Sequence, residues 1–431
     1  MILPEDFIRE TQRTMGEERF TRLCEGLLQE PPVSIRLNEV KLKRAGILPR
    51  VAGGSEETPS GGLVKVPWSS SGYYLDRRPA FTFDPLLHAG AYYVQEASSM
   101  FIDHVVSYIT ARPEFRGRQL NALDLCAAPG GKSLGLRSLL PEGSVLYSNE
   151  PVRPRAQVLN ENILKWGHPD VVVTNNYAED YRRSGMRFDL VLADVPCSGE
   201  GMFRKDPQAI ADWSLQKVEQ CRLLQRDIIR DIWPCLMPGG ILVYSTCTFN
   251  IHENEENVAW IADQLGAVFV DVPIDSAWDV TGSLLDGIPS YRFIPGCTRG
   301  EGLFMAVLQK NGDSGDESRR YDAGLRILSH GPLAPQQKGR DLVPDASEAL
   351  SFAPCAVHYP HVAISYQQAV SYLRREAIKL PADSPVGLCV VTFNGFPLGF
   401  VKNIGSRANN LYPKEWAIKS THVPSHYEPV V

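Results

Sequence analysis

An α/β fold is the class that the sequence predicts, and two observations in the middle of the chain predict it. Between residues 120 and 245, short apolar runs alternate with segments whose apolar residues recur at helical spacing. The run at 188–193 is apolar along nearly its whole length, as in a strand that is buried on both faces. This alternation predicts a parallel sheet covered by helices.

The first region, residues 1–83, has features of both helix and strand. Apolar residues at helical spacing run across 7–28, where a Pro-Pro pair then ends the pattern. Residues 33–38 alternate like a short strand, and 49–62 are rich in Gly, Ser, Pro and Glu, which indicates a loop. The region is therefore predicted to be α+β.

The middle region, residues 84–310, contains the alternating pattern. Its predicted strands lie at residues 120–126, 144–149, 170–174, 188–193 and 241–245, and its predicted helices at 131–140, 155–166 and 215–236.

A polar stretch at 311–318 (NGDSGDES) lacks large apolar residues and predicts a linker between domains. The last region, 319–431, contains two apolar runs that flank Asn394-Gly395. An Asn-Gly pair between such runs is a strong β-hairpin signal. A small β-rich C-terminal domain follows from it.

Composition excludes several classes of protein. The chain has 431 residues, 43% of them hydrophobic, and a net charge of -6, which is unlike a histone-type electrostatic nucleic-acid binder. No apolar stretch of about 18 residues and no signal-peptide pattern is present, so we expect a cytoplasmic protein without a membrane contact. The nine cysteines include no CxxC pair, which argues against a disulfide framework or a structural zinc.

A glycine turn follows the first central strand. Residues 126–132 read Cys-Ala-Ala-Pro-Gly-Gly-Lys, and such a turn at a helix start lets a polar ligand approach the backbone closely. It ends in Gly-Lys-Ser like a P-loop, with Cys126 in place of the first glycine, so a degenerate P-loop ATPase with Asp194 as its magnesium carboxylate is one alternative. A purely structural turn is another. Glu150 ends the next strand, 19 residues after Gly131, which is typical of ribose-binding acids.

Two further strand ends carry reactive side chains. Asp194 and Cys197 lie in the segment DVPCSGEG, and Cys247 lies in STCT. Ligands bind at the carboxyl ends of parallel strands, so neighbouring strands would bring two thiols and one carboxylate to one crevice. The segment from His252 to Glu256 begins like the zinc motif HExxH but ends in Glu, which indicates the first turn of a helix rather than a metal site.

These motifs resemble those of a known family. LDLCAAPGGK, ADVPCSGEGMFRKDP and YSTCTFNIHENEENV resemble the RNA 5-methylcytosine methyltransferases, the family of RsmB, Nop2 and the NSUN proteins. YVQEASSM and YPKEW resemble its bacterial RsmF branch, which acts on small-subunit ribosomal RNA. The resemblance implies a Rossmann-like class I core that uses S-adenosylmethionine, an N-terminal RNA-binding region and a C-terminal PUA-like domain.

The resemblance also implies a reaction. Cys247 would attack C6 of a cytosine and so activate C5, Cys197 would assist release of the adduct, and Asp194, as a protonated carboxyl, would hydrogen-bond N3. Lys205 would orient the base or the RNA, or else be a solvated surface lysine. The implied cofactor-binding residues are Cys126, Ala127, Ala128, Pro129, Gly130, Gly131, Lys132, Glu150, Asn176 and Asp194.

Two positions depart from the family pattern. The family often has an Asp after the third strand, near the adenine, whereas this chain reads Thr-Asn-Asn-Tyr at 174–177. Asn176 or Tyr177 would have to substitute for it. The branch commonly has a histidine after Pro295, and here that residue is Gly296.

The flanking regions contain cations and aromatics of the kinds that contact RNA phosphates and bases. A solvated domain edge is the alternative interpretation. These residues are Arg36, Lys41, Lys43 and Arg44 near the N-terminus and Lys402, Arg407, Tyr412, Lys414, Trp416 and Lys419 near the C-terminus.

The sequence thus predicts a three-domain enzyme that methylates C5 of a cytidine in RNA, with 16S ribosomal RNA or the small subunit as partner and no metal. The oligomeric state is open, with a monomer favoured. The alternatives are the same chemistry on tRNA, the degenerate ATPase, and a non-catalytic RNA-binding factor of ribosome assembly.

Overall fold

A mixed β-sheet covered by helices forms the centre of the protein. The computed structural model describes residues 1–48, 62–312, 324–338, 341–353, 358–420, 423–424 and 426–431. Most of the predicted loop at 49–62 and most of the predicted linker at 311–318 lie outside these residues.

The N-terminal region forms an antiparallel sheet, in which the strands lie in the order 64–65, 72–75, 33–37 and 92–94. The single helical pattern across 7–28 is two helices, because Gly16 between them has a φ of 79°, which interrupts an α-helix. The elements are α1 (Glu5–Met15), α2 (Glu17–Leu28), β1 (Val33–Leu37), α3 (Glu39–Ala45), β2 (Val64–Lys65), β3 (Gly72–Leu75), α4 (Pro85–His88) and β4 (Tyr92–Val94).

The central region follows the predicted strand–helix alternation. Its elements are α5 (Ile102–Ala111), β5 (Asn121–Asp124), α6 (Gly131–Leu139), β6 (Val145–Asn149), α7 (Arg153–Trp166), β7 (Val171–Thr174), α8 (Ala178–Ser184), β8 (Phe188–Asp194), α9 (Pro207–Ala211), α10 (Leu215–Ile232), β9 (Leu236–Thr246), α11 (Glu255–Leu265), β10 (Ala267–Phe269), β11 (Tyr291–Phe293) and β12 (Leu303–Lys310).

Strands β9, β8, β5, β6 and β7 lie side by side in that order, and every neighbouring pair among them is parallel. The antiparallel strand β12 extends the sheet beyond β9. Strand β8 is buried on both faces from Phe188 to Ala193, as its apolar run predicts. All carboxyl ends of the parallel strands therefore meet at one edge.

The helix predicted at 215–236 ends at Ile232, four residues early. A 3-10 turn at Trp233–Cys235 follows, and it contains Pro234. Proline has no amide hydrogen and clashes with the preceding helical turn, so the chain leaves the helix there. Strand β9 accordingly begins at Leu236 instead of residue 241.

The C-terminal region begins with a strand at 327–330, which pairs with β7 and extends the central sheet at that edge. The predicted hairpin is confirmed: Asn394 and Gly395 have φ values of 48° and 81°, as a tight two-residue turn requires. The elements are β13 (Ile327–His330), β14 (Gln336–Lys338), β15 (Asp341–Val343), α12 (Ala346–Leu350), β16 (His361–Ala363), α13 (Tyr366–Leu373), β17 (Gly387–Phe393), β18 (Phe396–Asn403) and β19 (Ala408–Asn410).

The boundaries predicted after residues 83 and 310 stay predictions. Strand β4 lies beyond residue 83 yet pairs with β1, and β13 lies beyond residue 310 yet pairs with β7. Strand pairing therefore crosses each predicted boundary, in addition to the covalent chain. Among the helices of the described ranges, none is both long enough and apolar enough to cross a bilayer.

Candidate active site

A cavity of about 300 Å³ opens at the carboxyl edge of the central sheet. Most of the glycine turn lines it, together with Asp194, Lys205 and Cys247 from the later strand ends. Further lining comes from residues 93–96, which include the end of β4 of the N-terminal sheet, and from residues 301–303. Most of the residues predicted for one site thus line one space, whereas Cys197, Gly130, Glu150 and Asn176 are not among the lining residues.

The glycine turn connects β5 to α6, and its backbone is held close to neighbouring elements. Gly130 has a φ of 121°, a conformation that side-chain-bearing residues rarely adopt. A Cβ on Gly131 would lie 3.0 Å from the amide carbon of Gln95, so a larger residue would push into the cavity wall. The predicted turn residues that line the cavity are Cys126, Ala127, Ala128, Pro129, Gly131 and Lys132.

The two predicted reactive thiols are in contact. Strands β8 and β9 are parallel neighbours with Asp194 paired to Ser245, so the loops that follow them run side by side. The sulfurs of Cys197 and Cys247 lie 3.3 Å apart. Of the two cysteines, Cys247 is the one that lines the cavity.

The environment distinguishes the two thiols. The hydrogen bond with Cys247 and burial together raise the pKa of Cys197 well above its ordinary value. A thiol that keeps its proton can donate it to the neighbouring sulfur. Cys247 is therefore the better candidate for the thiolate nucleophile, and Cys197 for the proton-bearing partner.

Two buried glutamates connect the cysteine loops. Glu200 accepts hydrogen bonds from the backbone amides of Phe249 and Asn250, at 2.6 and 3.0 Å. Glu253, in the loop that contains Cys247, accepts a 3.0 Å bond from the amide of Ser198, in the loop that contains Cys197. Each loop thus supplies a carboxylate for the other, which fixes the separation of the thiols.

Sequence reasoning did not assign a role to Glu200 or Glu253, although both lie within the quoted motifs. The prediction that 252–256 opens a helix is confirmed for Glu255 and Glu256, which form the first turn of α11. Glu255 is fully buried and pairs with the equally buried Arg292 of β11. Within the described residues, no three His, Cys, Asp or Glu side chains form a group that would hold a metal ion.

Asp194 faces a cation. Its Oδ2 lies 2.9 Å from Nζ of Lys132, which extends from the start of α6. Burial lowers the pKa of Lys132, but the neighbouring carboxylates of Asp194 and Asp124 outweigh that effect and raise it. The Asp194 carboxyl thus already has a cationic partner in this structure, and its expected contact with N3 stays a prediction.

Two buried carboxylates border the cofactor side of the site. Glu150 is 1% exposed; its Oε1 accepts a bond from the amide of Val152, while its Oε2 accepts no hydrogen bond from the described residues and lies 3.5 Å from the Arg155 guanidinium. Asp124, which sequence reasoning missed, lines the cavity and likewise leaves its Oδ1 without a hydrogen bond from that part of the chain. Burial raises the pKa of Asp124 to about 7.

These groups fit S-adenosylmethionine. Its ribose hydroxyls and its ammonium are hydrogen-bond donors, and the buried atoms Asp124 Oδ1 and Glu150 Oε2 accept no hydrogen bond from the described residues. The narrow glycine turn lets the ligand contact the backbone. Residues 126–132, Asp124 and Glu150 are therefore the candidates for holding the cofactor.

Asn176 is used differently from the expectation. Its side-chain oxygen accepts a 2.9 Å bond from the amide of Arg326, and its side-chain nitrogen donates a 3.1 Å bond to the carbonyl of the same residue. The amide is thus occupied by the C-terminal segment. Direct contact of Asn176 with an adenine stays a prediction, and Tyr177 beside it is 68% exposed.

Lys205 is held at the cavity by a residue that the sequence did not single out. The Glu301 side chain is 5% exposed and forms ion pairs with Lys205 Nζ at 2.9 Å and with Arg204 at 2.8 Å. Arg204 also donates to the carbonyls of Gly26 and Gly300. The Lys205 ammonium is therefore positioned rather than freely mobile, and it faces the space beside Cys247.

The departure at Gly296 has a steric cause. A Cβ at this position would lie 1.9 Å from the carbonyl oxygen of Arg22 in α2, and one on Gly26 would lie 2.3 Å from the Gly296 amide. Gly296 also has a φ of 82°. Helix α2 thus packs directly on the 295–297 backbone, which leaves no room for a histidine.

Four of the residues predicted to contact RNA are buried, which corrects that expectation. Arg36 is 1% exposed and forms a two-pronged ion pair with Asp103, while Lys41 donates to two backbone carbonyls in the interior. Tyr412 is 1% exposed and Trp416 is 8% exposed, so neither ring is free to stack on a base. The remaining predicted cations Lys43, Arg44, Arg407, Lys414 and Lys419 are exposed, and Lys402 is half-buried.

Three family models match the chain in order. They are the N-terminal domain of 16S rRNA methyltransferase RsmF over residues 3–97, 16S rRNA methyltransferase RsmB/F over 116–309, and the methyltransferase RsmF PUA domain over 359–418. The chain is 26% identical to ribosomal RNA small subunit methyltransferase F of Enterobacter sp. (strain 638), over 96% of each chain. It is 32% identical to the protein of that name from Aliivibrio fischeri (strain MJ11), over 72% of this chain and 65% of the other.

Two solved structures from Pyrococcus horikoshii share the fold. A methyltransferase homolog matches with a TM-score of 0.54 and 24% identity, over 72% of this chain and all of the other. NSun6 matches with a TM-score of 0.55 and 21% identity, over 72% and 99%. The protein is an RNA methyltransferase with a Rossmann-like core and a C-terminal PUA domain, and its cofactor is S-adenosylmethionine. The chain belongs to the 16S rRNA methyltransferase RsmB/F family, in its RsmF branch.

Proposed function

We propose that this enzyme methylates C5 of a cytidine in 16S ribosomal RNA through a covalent bond between Cys247 and C6 of the base. The observation that carries the proposal is the 3.3 Å contact between two thiols, one of which lines the cavity beside the glycine turn. A methyltransferase that acts on an oxygen or an exocyclic nitrogen has no use for such a pair, whereas C5 of cytosine is unreactive until a nucleophile adds to C6.

The first step is addition. The Cys247 sulfur, as thiolate, forms a bond to C6, and the electron pair of the C5–C6 double bond moves into the ring to make C5 nucleophilic. Charge develops at N3, and we assign its stabilisation to the Asp194–Lys132 pair, which lines the same cavity as Cys247. In that pair, Lys132 supplies the positive charge and Asp194 sets its position.

The glycine turn, Asp124 and Glu150 would hold S-adenosylmethionine, which would supply the methyl group to C5 by cleavage of its S–CH3 bond and would leave as S-adenosylhomocysteine. The C5 proton must then leave to a base, and the electron pair of that C–H bond restores the C5–C6 double bond as sulfur departs from C6. Cys197 is in contact with the departing sulfur and keeps its proton, so it can protonate Cys247 as the adduct breaks.

The flanking regions hold the RNA around the target base. A base that is stacked in a helix must be turned outward before a thiol reaches C6. We assign the catalytic domain to residues 84–310 and the flanking RNA-binding regions to 1–83 and 319–431. The exposed cations of the two flanking regions are the proposed phosphate contacts. We place the reaction in the cytoplasm, where ribosomal RNA and reduced thiols are found.

Bisulfite sequencing of RNA from a strain that lacks the gene tests the proposal. Loss of one or more 5-methylcytidines from 16S RNA is expected; loss from tRNA alone would move the substrate to tRNA. No loss in either RNA would contradict the chemistry. A P-loop ATPase would instead bind ATP with magnesium. Calorimetry with ATP and magnesium, and separately with S-adenosylmethionine, distinguishes an ATPase from a methyltransferase.

The covalent step has its own test. Cys197→Ala leaves the nucleophile but removes the proton that breaks the adduct, so an RNA–protein species that survives denaturing gel electrophoresis should accumulate. The double variant Cys197→Ala, Cys247→Ala is the control and should show none. An adduct that persists in the double variant would assign the bond to another residue.

A further inference from the structure

The end of β7 is held by the C-terminal segment. At the position where the family often has an aspartate, Asn176 pairs its side-chain amide with both backbone groups of Arg326, as a neighbouring strand would. The backbone amide of Asn175 also donates to the carbonyl of Arg326, at 2.9 Å. Arg326 directly precedes β13, so the added strand is anchored to the loop that follows β7.

The same loop holds the backbone of the candidate ribose ligand. The side-chain nitrogen of Asn175 donates to the carbonyls of Glu150 and Pro151, at 2.8 and 2.9 Å. The amide of Glu150 donates to the carbonyl of Thr174, at 3.2 Å. The residues at the end of β7 thus hold both peptide groups of Glu150, while its carboxylate Oε2 accepts no hydrogen bond from the described residues and lies 3.5 Å from the Arg155 guanidinium.

A third asparagine extends the connection to the glycine turn. Asn149 is fully buried; its side-chain oxygen accepts from the amide of Asn176 at 3.0 Å, and its side-chain nitrogen donates to the carbonyls of Asn176 and Leu125. Its carbonyl accepts from the amide of Ala127, at 2.8 Å. An unbroken set of hydrogen bonds therefore runs from Arg326 to the glycine turn.

We propose that Asn149, Asn175 and Asn176 are positioning residues for S-adenosylmethionine, through which the C-terminal segment at Arg326 fixes Glu150 and the glycine turn. All three side chains are at least nine-tenths buried, and both the oxygen and the nitrogen of each amide form hydrogen bonds, so loss of one partner leaves a buried polar group unpaired. This inference rests on the cofactor and not on the cytosine chemistry proposed above.

The inference explains the missing aspartate. An aspartate at 176 has no hydrogen to donate to the Arg326 carbonyl, and its charge would face that carbonyl oxygen. The asparagine and the added strand therefore depend on each other. A residue that contacted adenine as an acceptor would gain from Asn176→Asp, whereas the positioning role requires that the same change weaken binding.

Titration calorimetry of the full chain with S-adenosylhomocysteine distinguishes a positioning role of Asn176 from direct contact with adenine. Asn176→Asp is expected to weaken binding about tenfold, because a bond is lost and a buried charge is left beside a carbonyl. Ser329→Ala is the matched control: it removes a β13 side-chain bond to Asn160 outside the asparagine set, and should bind like the wild type. Tighter or unchanged binding by Asn176→Asp, or equal weakening by both variants, would overturn the inference.

Two measurements keep the test clear of misfolding. Arg326→Ala removes only an exposed side chain that contacts Asn175 at 3.3 Å, and should weaken S-adenosylhomocysteine two- to threefold while the melting temperature stays within a degree or so of Ser329→Ala. 5′-Methylthioadenosine, which lacks the amino-acid end, should lose the same factor in Asn176→Asp. Full retention of its affinity would place the defect away from the nucleoside and overturn the inference. Neither result depends on RNA or on Cys247.

Discussion

The catalytic strand ends and the flanking sheets use the same kinds of side chain in opposite surroundings. After the carboxyl ends of β8 and β9, Cys247 lines an open cavity, and Cys197, which does not line that cavity, contacts the Cys247 sulfur. In the N-terminal sheet, Arg36 extends from β1 into the interior and ends on Asp103 with 1% of its surface exposed. A charged or reactive side chain can therefore contact a substrate only where the fold exposes it to a cavity.

The difference lies in what positions each group. The carboxyl ends of parallel strands meet at one edge of the sheet, so the loops after β5, β8 and β9 all contribute residues to the cavity. A cation on an antiparallel sheet faces solvent or core according to which face is covered. The N-terminal sheet packs on α5 through Arg36 and Asp103, and that contact removes the cation from any RNA surface.

Cys247→Ala is the change with the largest expected effect on activity. Loss of the nucleophile should lower methyl transfer by at least about a thousandfold, because C5 is not activated without addition to C6. Affinity for S-adenosylhomocysteine should remain within about twofold of the wild type. Cys221→Ala, on α10, is the matched thiol control and should be fully active; near-normal turnover by Cys247→Ala would remove the basis of the proposed chemistry.

The sequence predicts the catalytic half well because its evidence is local and periodic. Each apolar run of the central sheet appears as a strand within a few residues, and the motifs follow the strands directly. The partnerships of Glu301 with Lys205 and of Arg326 with Asn176 join residues about 100 and 150 positions apart. No single sequence carries that information, because it depends on which surfaces pack together.

Arg36→Ala should have the largest effect on stability. Removing the guanidinium leaves Asp103 charged and buried without its ion-pair partner, which costs about 3–5 kcal/mol of unfolding free energy. Chemical denaturation measures it. Lys43→Ala, an exposed cation on α3, is the control and should stay within about 0.5 kcal/mol. Equal stability of the two variants would show that Arg36 is not the interior residue described here.

Asp194 tests the electrostatics inside the cavity. Asp194→Ala should lower kcat/KM about a hundredfold, since it removes the partner of Lys132 and any contact to the base. Asp194→Asn retains a polar group that can bond to N3 and should retain about a tenth of wild-type activity. Equal loss in the two variants would argue against an N3 contact and would leave only the ion pair as the role of Asp194.

Lys41 gives a pH-dependent version of the comparison. Burial and the neighbouring Arg44 lower its pKa from 10.5 to about 7. Between pH 7 and 10.5 the unfolded chain binds this proton and the folded chain does not, so the unfolding free energy should rise with pH, by at most about 1.4 kcal/mol per pH unit. The unfolding free energy of the wild type minus that of Lys41→Met should therefore increase from pH 7 to 9. A constant difference would mean that Lys41 titrates normally.

Lys414 and Tyr412 compare an exposed and a buried residue only two positions apart. If the C-terminal domain contacts RNA phosphates, Lys414→Ala should weaken RNA binding a few-fold and reduce the slope of log affinity against log salt by about one, because one phosphate contact is lost. Tyr412→Phe leaves the buried ring in place and should change neither quantity. A larger effect of Tyr412→Phe on RNA affinity, at unchanged stability, would return the aromatic to the RNA interface and show that burial in the free protein does not decide which residues bind.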